Sequence, residues 1–177
     1  MLEKIISERV GLFGETNPMI ELKKYFELEK KKHFEFYLPF YQQQNWQVVE
    51  DNIGGNKPID WDVKLEVFVG QYKLIDEKVR QGEFNDCLIE LIQDFKTKKL
   101  GWFFGEKDWI LYGNWKDIES IYPSSLYLVK SEELKNYICG LDGFIKTCIS
   151  KKGWGITWCV VLSWDSLIDG GIAEKLI

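Results

Sequence analysis

The feature that most constrains the fold is a regular alternation between Trp61 and Val69. Every odd-numbered residue there is apolar, and Asp62, Lys64 and Glu66 stand between them. Successive side chains of a strand point to opposite faces, whereas a helix repeats every 3.6 residues. The run therefore predicts a β-strand with one buried face.

Gly70 separates this run from a second extended segment, Gln71–Arg80. Two such runs joined by a glycine predict a β-hairpin. On the second strand Asp76 and Lys78 are two residues apart, so they project from the same face. Glu77 between them points away.

The pairing of the two strands decides whether Asp62 joins this face. It does so only with even parity, for example with Phe68 opposite Tyr72, which places Asp62 opposite Lys78. That register implies a three-residue loop, Val69–Gln71. A two-residue loop would turn Asp62 to the other face.

The residues before the hairpin predict two helical segments and a strand. Asn17 followed by Pro18 marks a helix start. Apolar residues then recur at helical spacing, and Phe34 to Gln44 continues as a second helix with Pro39 near its beginning or at a kink. Trp46 to Val49 predicts a short strand.

After the hairpin, the segment from Asn85 to Phe95 predicts a helix. Asn85 is a candidate N-cap, and the apolar stripe comprises Cys87, Leu88, Leu91, Ile92 and Phe95. The runs GWFF, DWILYGNW, SSLYLVK and WGITWCVVLSW predict strands, and SEELKNYICG predicts a helix. A short tail, Ser166 to Ile177, follows.

This order predicts an α/β fold in which helices flank a mixed β-sheet. No repeat or Pro/Gly/Ser-rich linker divides the chain, so we expect residues 1–177 to form one domain.

Composition narrows the classes of function. The net charge of −5 argues against a protein that holds nucleic acid by broad phosphate neutralisation, although carboxylates around a divalent metal can still meet a polyanion locally. Neither a membrane-spanning apolar stretch nor a signal peptide is evident, so we expect a cytoplasmic protein. Phosphate-cradling glycine patterns are also missing.

The acidic hairpin resembles a known nuclease signature. The pattern D-x13-D-E-K, from Asp62 to Asp76, Glu77 and Lys78, is similar to that of the PD-(D/E)XK nucleases. The segments ending in NWQVVED and FNDCLIELIQDFKTKKLGWFFGEKDWILY resemble the elements on either side of it. The resemblance covers roughly residues 18 to 115 and implies a restriction-endonuclease-like core.

The resemblance also implies a chemistry. Asp62 and Asp76, helped by the backbone carbonyl of Glu77, are expected to bind Mg²⁺ or Mn²⁺. Lys78 is expected to orient the attacking water and to stabilise the negative charge that develops on the phosphate. The catalytic residues would then be Asp62, Asp76 and Lys78.

Several ligands remain open. Trp61 stands where the signature has proline, and Asp60 is a rival ligand on the same face as Asp62. Many members use a glutamate from the first helix, for which Glu21 and Glu27 are candidates. Glu90 is a candidate outer acid.

Other residues have plainer interpretations. The hairpin charges can form an exposed cross-strand ion pair with no function. His33 is expected on the surface, and the lysines of the following loop are expected in solvent rather than on phosphate: Lys96, Lys98, Lys99 and Lys107. Buried positions are expected for Cys87, Cys139, Cys148, Cys159, Trp102, Trp109 and Trp115.

The leading hypothesis is therefore a magnesium-dependent phosphodiesterase that acts on DNA, with a homodimer possible where both strands must be cut. The alternative is a protein or nucleic-acid binding module on the same fold, in which the acidic hairpin has no catalytic role.

Overall fold

The structure is a computed structural model that describes residues 26–53, 61–94, 99–140, 147–152 and 155–177. Some predictions fall outside these residues, namely those on the helix start at Asn17 and Pro18, Glu21, Asp60, Phe95, Lys96 and Lys98.

In the part of the chain that the structure describes, three helices flank the sheets. Helix α1 is described over residues 26–43 and contains a π-helical turn at His33–Tyr37, after which Leu38–Gln43 is again α-helical. Helix α2 is Ser131–Cys139 and α3 is Trp164–Asp169. The predicted helices at 34–44 and 131–140 are confirmed, and Pro39 lies in the first turn of Leu38–Gln43.

The strands form a six-stranded and a four-stranded sheet. The first has the order β1-β2-β3-β6-β7-β10, and the second the order β5-β4-β9-β8. The strands are β1 Gln47–Asp51, β2 Val63–Phe68, β3 Gln71–Gln81, β4 Asp86–Asp94, β5 Lys99–Leu100, β6 Trp109–Trp115, β7 Ser125–Lys130, β8 Thr147–Lys152, β9 Gly155–Ser163 and β10 Ala173–Lys175.

The first sheet is mixed, as predicted. Strand β3 runs parallel to β6, and the other neighbouring pairs are antiparallel. Parallel neighbours need a long crossover connection. Here the crossover between β3 and β6 carries β4 and β5 of the second sheet, which brings the two sheets together.

Each face of the first sheet supports its own apolar core. One face packs on α1 through residues that include Phe36, Tyr37, Val63, Leu65, Ile75 and Leu111. The opposite face packs on the second sheet, α2 and α3 through residues that include Ile89, Ile110, Tyr112, Val129, Val160 and Leu167. Strand β3 thus lies between two packed layers, which fixes its side chains on both sides.

The helix predicted at 85–95 is wrong over its described part, because Asp86–Asp94 is strand β4 and pairs with β9. Its sequence fits two periods. Cys87 and Ile89 alternate as a strand requires, while Leu88 and Leu91 complete the helical stripe. The segment forms a strand because its backbone pairs with β9, with Ile89 opposite Val160.

Other predictions for the second half have mixed outcomes. The strands at DWILYGNW, SSLYLVK and WGITWCVVLSW are confirmed as β6, β7 and β9. The strand predicted for GWFF is wrong, since Trp102–Phe104 is a 3₁₀ turn. Strand β8 was not predicted, and the tail forms most of α3 and β10.

Buried tryptophans and thiols were predicted in part. Trp115 is fully buried, whereas Trp102 and Trp109 are half-buried and pack against the two cores. Cys87 and Cys159 are buried as expected, but Cys139 is exposed at the end of α2. Among the described residues, no helix combines the length and apolar character needed to span a membrane.

Two substitutions distinguish the strand from the predicted helix at β4. Ile89→Ala should lower the free energy of unfolding by about 2–5 kcal/mol, because Ile89 is fully buried against the first sheet. Leu88→Ala should cost clearly less, since Leu88 is half-buried. Urea denaturation followed by tryptophan fluorescence measures both. The helical stripe contains Leu88 and not Ile89, so the reverse order would contradict the strand.

Candidate active site

The hairpin β2–β3 has the even parity that the site requires. Val63 lies opposite Ile75, and Glu66 lies opposite Tyr72. The predicted three-residue loop is wrong, however, because Phe68 lies opposite Gln71 and only two residues connect the strands.

A β-bulge reconciles the short loop with the even parity. The register shifts between Glu66 and Phe68, so Val67 is an extra residue on β2. Gly70 has a φ of 76°, the left-handed conformation that such a tight turn requires. The bulge and the two-residue loop each shift the parity by one, and together they leave it even.

Asp62 lies directly before β2 and is fastened to β3. Its backbone N–H donates to the carbonyl of Ile75 at 2.8 Å, and its Oδ2 accepts from the backbone N–H of Glu77 at 2.8 Å. Burial raises the pKa of Asp62 well above its usual range, and the nearby carboxylate of Asp76 adds to this, against the opposite effect of Lys78. Two carboxylates are therefore crowded together here.

Asp76 is deeply buried in the site, with 4% of its surface exposed. Its Oδ1 accepts from Lys78 Nζ at 2.6 Å, and its Oδ2 accepts from Lys107 Nζ at 2.8 Å. Burial alone would raise the pKa of Asp76, yet these two ammonium groups hold it below its ordinary value. Asp76 is thus kept as an anion.

Lys78 remains a cation in this setting. Burial tends to lower its pKa, but the carboxylates of Asp76, Asp62 and Glu29 raise it overall. Its ammonium group lies 5.3 Å from the centre of the Trp102 ring, which forms one wall of the site. The side chain is 20% exposed, so Lys78 also reaches solvent.

Lys107 is a member of the site that sequence reasoning missed. It was expected in a solvated loop, but its side chain is 1% exposed. Besides Asp76 it contacts the carbonyl of Trp102, to which Nζ donates at 2.6 Å. The only signal in the sequence is its position just before β6, the strand that pairs with β3.

Of the two helix glutamates proposed from the sequence, Glu21 lies outside the residues that the structure describes, so only Glu27 can be placed. Glu27 is exposed on α1. Glu29, two residues on, is half-buried and close enough to raise the pKa of Lys78. Glu90 is buried on β4 rather than on a helix.

On the opposite face of β3, Glu77 enters a buried polar network. Its carboxylate accepts from Tyr41 Oη at 2.6 Å, and it faces Nδ1 of His33 at 2.9 and 3.0 Å. Nε2 of the same ring faces Oδ2 of Asp51 at 3.1 Å. The expectation that His33 lies on the surface is wrong, because its side chain is fully buried.

The His33 ring has carboxylates on both sides. Burial lowers the pKa of His33, but the hydrogen bonds and charges of Glu77 and Asp51 raise it overall. A doubly protonated ring can donate to both acids at once, so this form satisfies both. His33 belongs to the π-helical turn of α1, a type of distortion found frequently at functional sites.

The backbone of β3 is also held by hydrogen bonds from Tyr37 of α1 and to Asp62. Tyr37 Oη donates to the carbonyl of Lys78 at 2.9 Å. Asp62 accepts from the neighbouring N–H of Glu77, so the segment Asp76–Lys78 is fastened along its main chain as well as through its side chains. Such fixing is what a preorganised site needs.

The donor set fits an oxygen-preferring cation in one respect and falls short in another. A divalent ion between Asp62 and Asp76 would relieve the repulsion that raises the pKa of Asp62. In the described part of the chain, however, no group of three or more His, Cys, Asp or Glu side chains is arranged to hold a metal. The carboxylates of Asp62 and Asp76 are the oxygen ligands that the described site offers.

No protein-family model, curated protein or solved structure matches the chain. The function therefore has to be inferred from the chemistry of these residues.

His33→Ala should lower the free energy of unfolding by about 3–5 kcal/mol, because it leaves the carboxylate of Glu77 buried without its cationic partner. In a Glu77→Gln background the same substitution should cost less, since a neutral amide needs less compensation. The control is Glu35→Ala, an exposed residue of the same turn, which should change stability by no more than about 0.5 kcal/mol. Denaturant titration measures the wild type and the four variants, and equal costs for His33→Ala and Glu35→Ala would disprove the network's role.

Proposed function

We propose that this protein is a metal-dependent phosphodiesterase that cuts DNA, with Asp62, Asp76 and Lys78 as its catalytic residues. The observation that carries the proposal is their convergence. Three groups from the hairpin form one charge-coupled cluster, while Glu77 between two of them points to the opposite face. A chance ion pair on a hairpin would need neither the second carboxylate nor the buried setting.

In this proposal Asp62, Asp76 and the backbone carbonyl of Glu77 would hold Mg²⁺ or Mn²⁺, which when bound would supply an activated water and neutralise charge on the phosphate. Lys78 stays protonated beside Asp76 and is partly exposed, so it can donate to the attacking water and to the developing negative charge. Asp76 fixes the Lys78 ammonium group through the 2.6 Å hydrogen bond.

The restriction-endonuclease-like core is part of the same proposal. A helix that packs against the hairpin sheet, followed by a parallel strand beside the catalytic strand, supports it. The crossover differs, because it runs through β4 and β5 where the resemblance implied a helix. A cytoplasmic location and a homodimer, which suits cleavage of both strands, are further expectations.

A second candidate is a binding module without catalysis. The observation that favours it is the saturation of Asp76, both of whose oxygens already accept from lysines. In that case the cluster would be a buried ion-pair network that specifies the pairing of the hairpin with β6.

Asp62→Asn, Asp76→Asn and Lys78→Met should each reduce cleavage of plasmid DNA by at least about 100-fold in Mg²⁺ or Mn²⁺, because each removes charge that acts on the metal, the water or the phosphate. Asp169→Asn and Lys130→Met change exposed residues of the same types and should leave the rate unaltered. Nicking and linearisation on gels provide the assay. Near wild-type cutting by Asp76→Asn or Lys78→Met would refute the catalytic assignment.

Thermal melting separates the two candidates without an activity assay. At a Mn²⁺ concentration about 100 times the dissociation constant, binding to the folded state adds about 2.7 kcal/mol, which corresponds to a rise in Tm of about 5–10 °C for a chain of this length. Asp76→Asn should lose this rise, and Asp169→Asn should keep it. If the wild-type Tm does not respond to Mg²⁺ or Mn²⁺, the binding module is the better interpretation.

A further inference from the structure

The candidate site lies between two exposed aromatic rings. Residues an even number apart on a strand share a face, so Tyr72 and Arg80 lie on the same face of β3 as Asp76 and Lys78. Tyr72 is 49% exposed, and Phe84, whose ring stacks on Arg80, is 41% exposed. Large aromatic side chains usually fill a core, whereas these two present part of their rings to solvent on either side of the site.

The first ring is paired with a lysine. Lys64 lies opposite Leu74 in the hairpin, which places it on this face, and its Nζ lies 5.0 Å from the centre of the Tyr72 ring. Within the described part of the chain Lys64 forms no ion pair, so its charge can bind an anion from solution. The nearby carboxylate of Glu66 accepts instead from the backbone N–H of Gly70 at 2.7 Å.

The second ring is paired with an arginine. The guanidinium carbon of Arg80 lies 3.7 Å from the centre of the Phe84 ring. Its hydrogen bonds to described residues leave from Nη1 and reach the carbonyl and the carboxylate of Asp86 at 2.8 and 2.6 Å. A guanidinium carries further donors at Nε and Nη2, and the side chain is 19% exposed. Arg80 can therefore bind a phosphate and keep its contact with Asp86.

The spacing of these groups suits a chain of nucleotides. A strand rises about 3.3 Å per residue, so Tyr72 and Arg80 are roughly 26 Å apart, with Asp76 and Lys78 between them. Neighbouring side chains on one face, such as Lys78 and Arg80, are about 7 Å apart, comparable to the separation of successive phosphates along an extended strand. A cation beside a ring can bind a phosphate and the adjoining base together.

The rings favour an unpaired strand over a duplex. Stacking on a protein ring requires a base whose face is free, whereas a duplex presents the edges of its bases in the grooves. Aromatic side chains combined with cations are the usual means by which proteins bind single strands. The net charge of −5 also argues against the broad phosphate neutralisation that binding along a duplex requires.

We propose that this face of β2 and β3 binds single-stranded DNA across the candidate site. Tyr72 and Phe84 stack on bases, while Lys64 and Arg80 bind phosphates on either side of the one at Lys78. The inference rests on the proposed function and adds the class of substrate to it, because the strand that is cut is unpaired at the site. Plasmid DNA remains a substrate where supercoiling opens the duplex.

The test is the fluorescence anisotropy of a labelled oligo-dT of about 16 nucleotides, measured in EDTA so that no cleavage occurs. The wild type should bind it at least about tenfold more tightly than a duplex of equal length, which has to be opened first. Tyr72→Ala and Phe84→Ala should each weaken binding at least about fivefold, and Tyr72→Phe should retain it. The control is Tyr122→Ala, since Tyr122 is 67% exposed and packs on Phe36 of α1.

The salt dependence of binding tests the cations separately. Each phosphate contact to a single strand contributes about −0.7 to the slope of log affinity against log salt concentration. Lys64→Met should therefore make this slope shallower by about 0.7, and the exposed control Lys130→Met should leave it unchanged. An unaltered slope in Lys64→Met would contradict the phosphate contact.

Equal affinity for duplex and single strand, or wild-type affinity in Tyr72→Ala or Phe84→Ala, would overturn this inference and leave the proposed cleavage intact. Preferential binding of oligo-dT without its cleavage in Mg²⁺ or Mn²⁺ would support the binding surface and overturn the proposed function. A wild type that binds neither nucleic acid would overturn both. Circular dichroism verifies the fold of each variant, and the exposed positions of both rings make their replacement tolerable.

Discussion

The rest of this structure depends on the two ion pairs of the buried Asp76 carboxylate. An anion at this depth is stable only if its desolvation is offset by close, well-oriented donors. Lys78 provides one donor from β3, and Lys107 provides the other from the segment just before β6. The parallel pairing of β3 with β6 is therefore tied to the charge of the site, and the same contacts hold the Trp102 turn against it.

The two faces of β3 carry two separate groups of polar side chains. One face carries the charged cluster and opens to solvent through Lys78, while the other carries Glu77 into a network with α1 and β1. The separation follows from the two-residue period of a strand, which sends neighbouring side chains apart. Two polar groups next to each other in sequence thus belong to two different networks.

The sequence predicted what local periodicity controls. The hairpin and the opposite direction of Glu77 follow from the alternation of residues, whereas the even parity was only a condition that the site required. The bulge at Val67 was not predicted. An apolar residue at this position keeps the alternation in the sequence, whether it pairs with β3 or is the additional residue of a bulge. Strand β4 escaped because its pattern fits both periods and its partner β9 lies far along the chain. Sequence reasoning also missed the positions of His33, Lys107 and Glu29. A charged residue is normally solvated, and only partners far along the chain make its burial stable.

The π-helical turn of α1 has a consequence for how the two ends of that helix relate to the sheet. A π-turn accommodates one more residue than an α-turn, and each residue advances an α-helix by about 100° around its axis. The inserted residue therefore changes the direction in which side chains before the π-helical turn point, relative to those after it. Tyr37 and Tyr41 donate hydrogen bonds to β3, while Glu29, about one turn before the π-helical turn, lies close enough to Lys78 to raise its pKa. Shortening the turn by one residue would swing the early part of the helix away by roughly a quarter of a revolution.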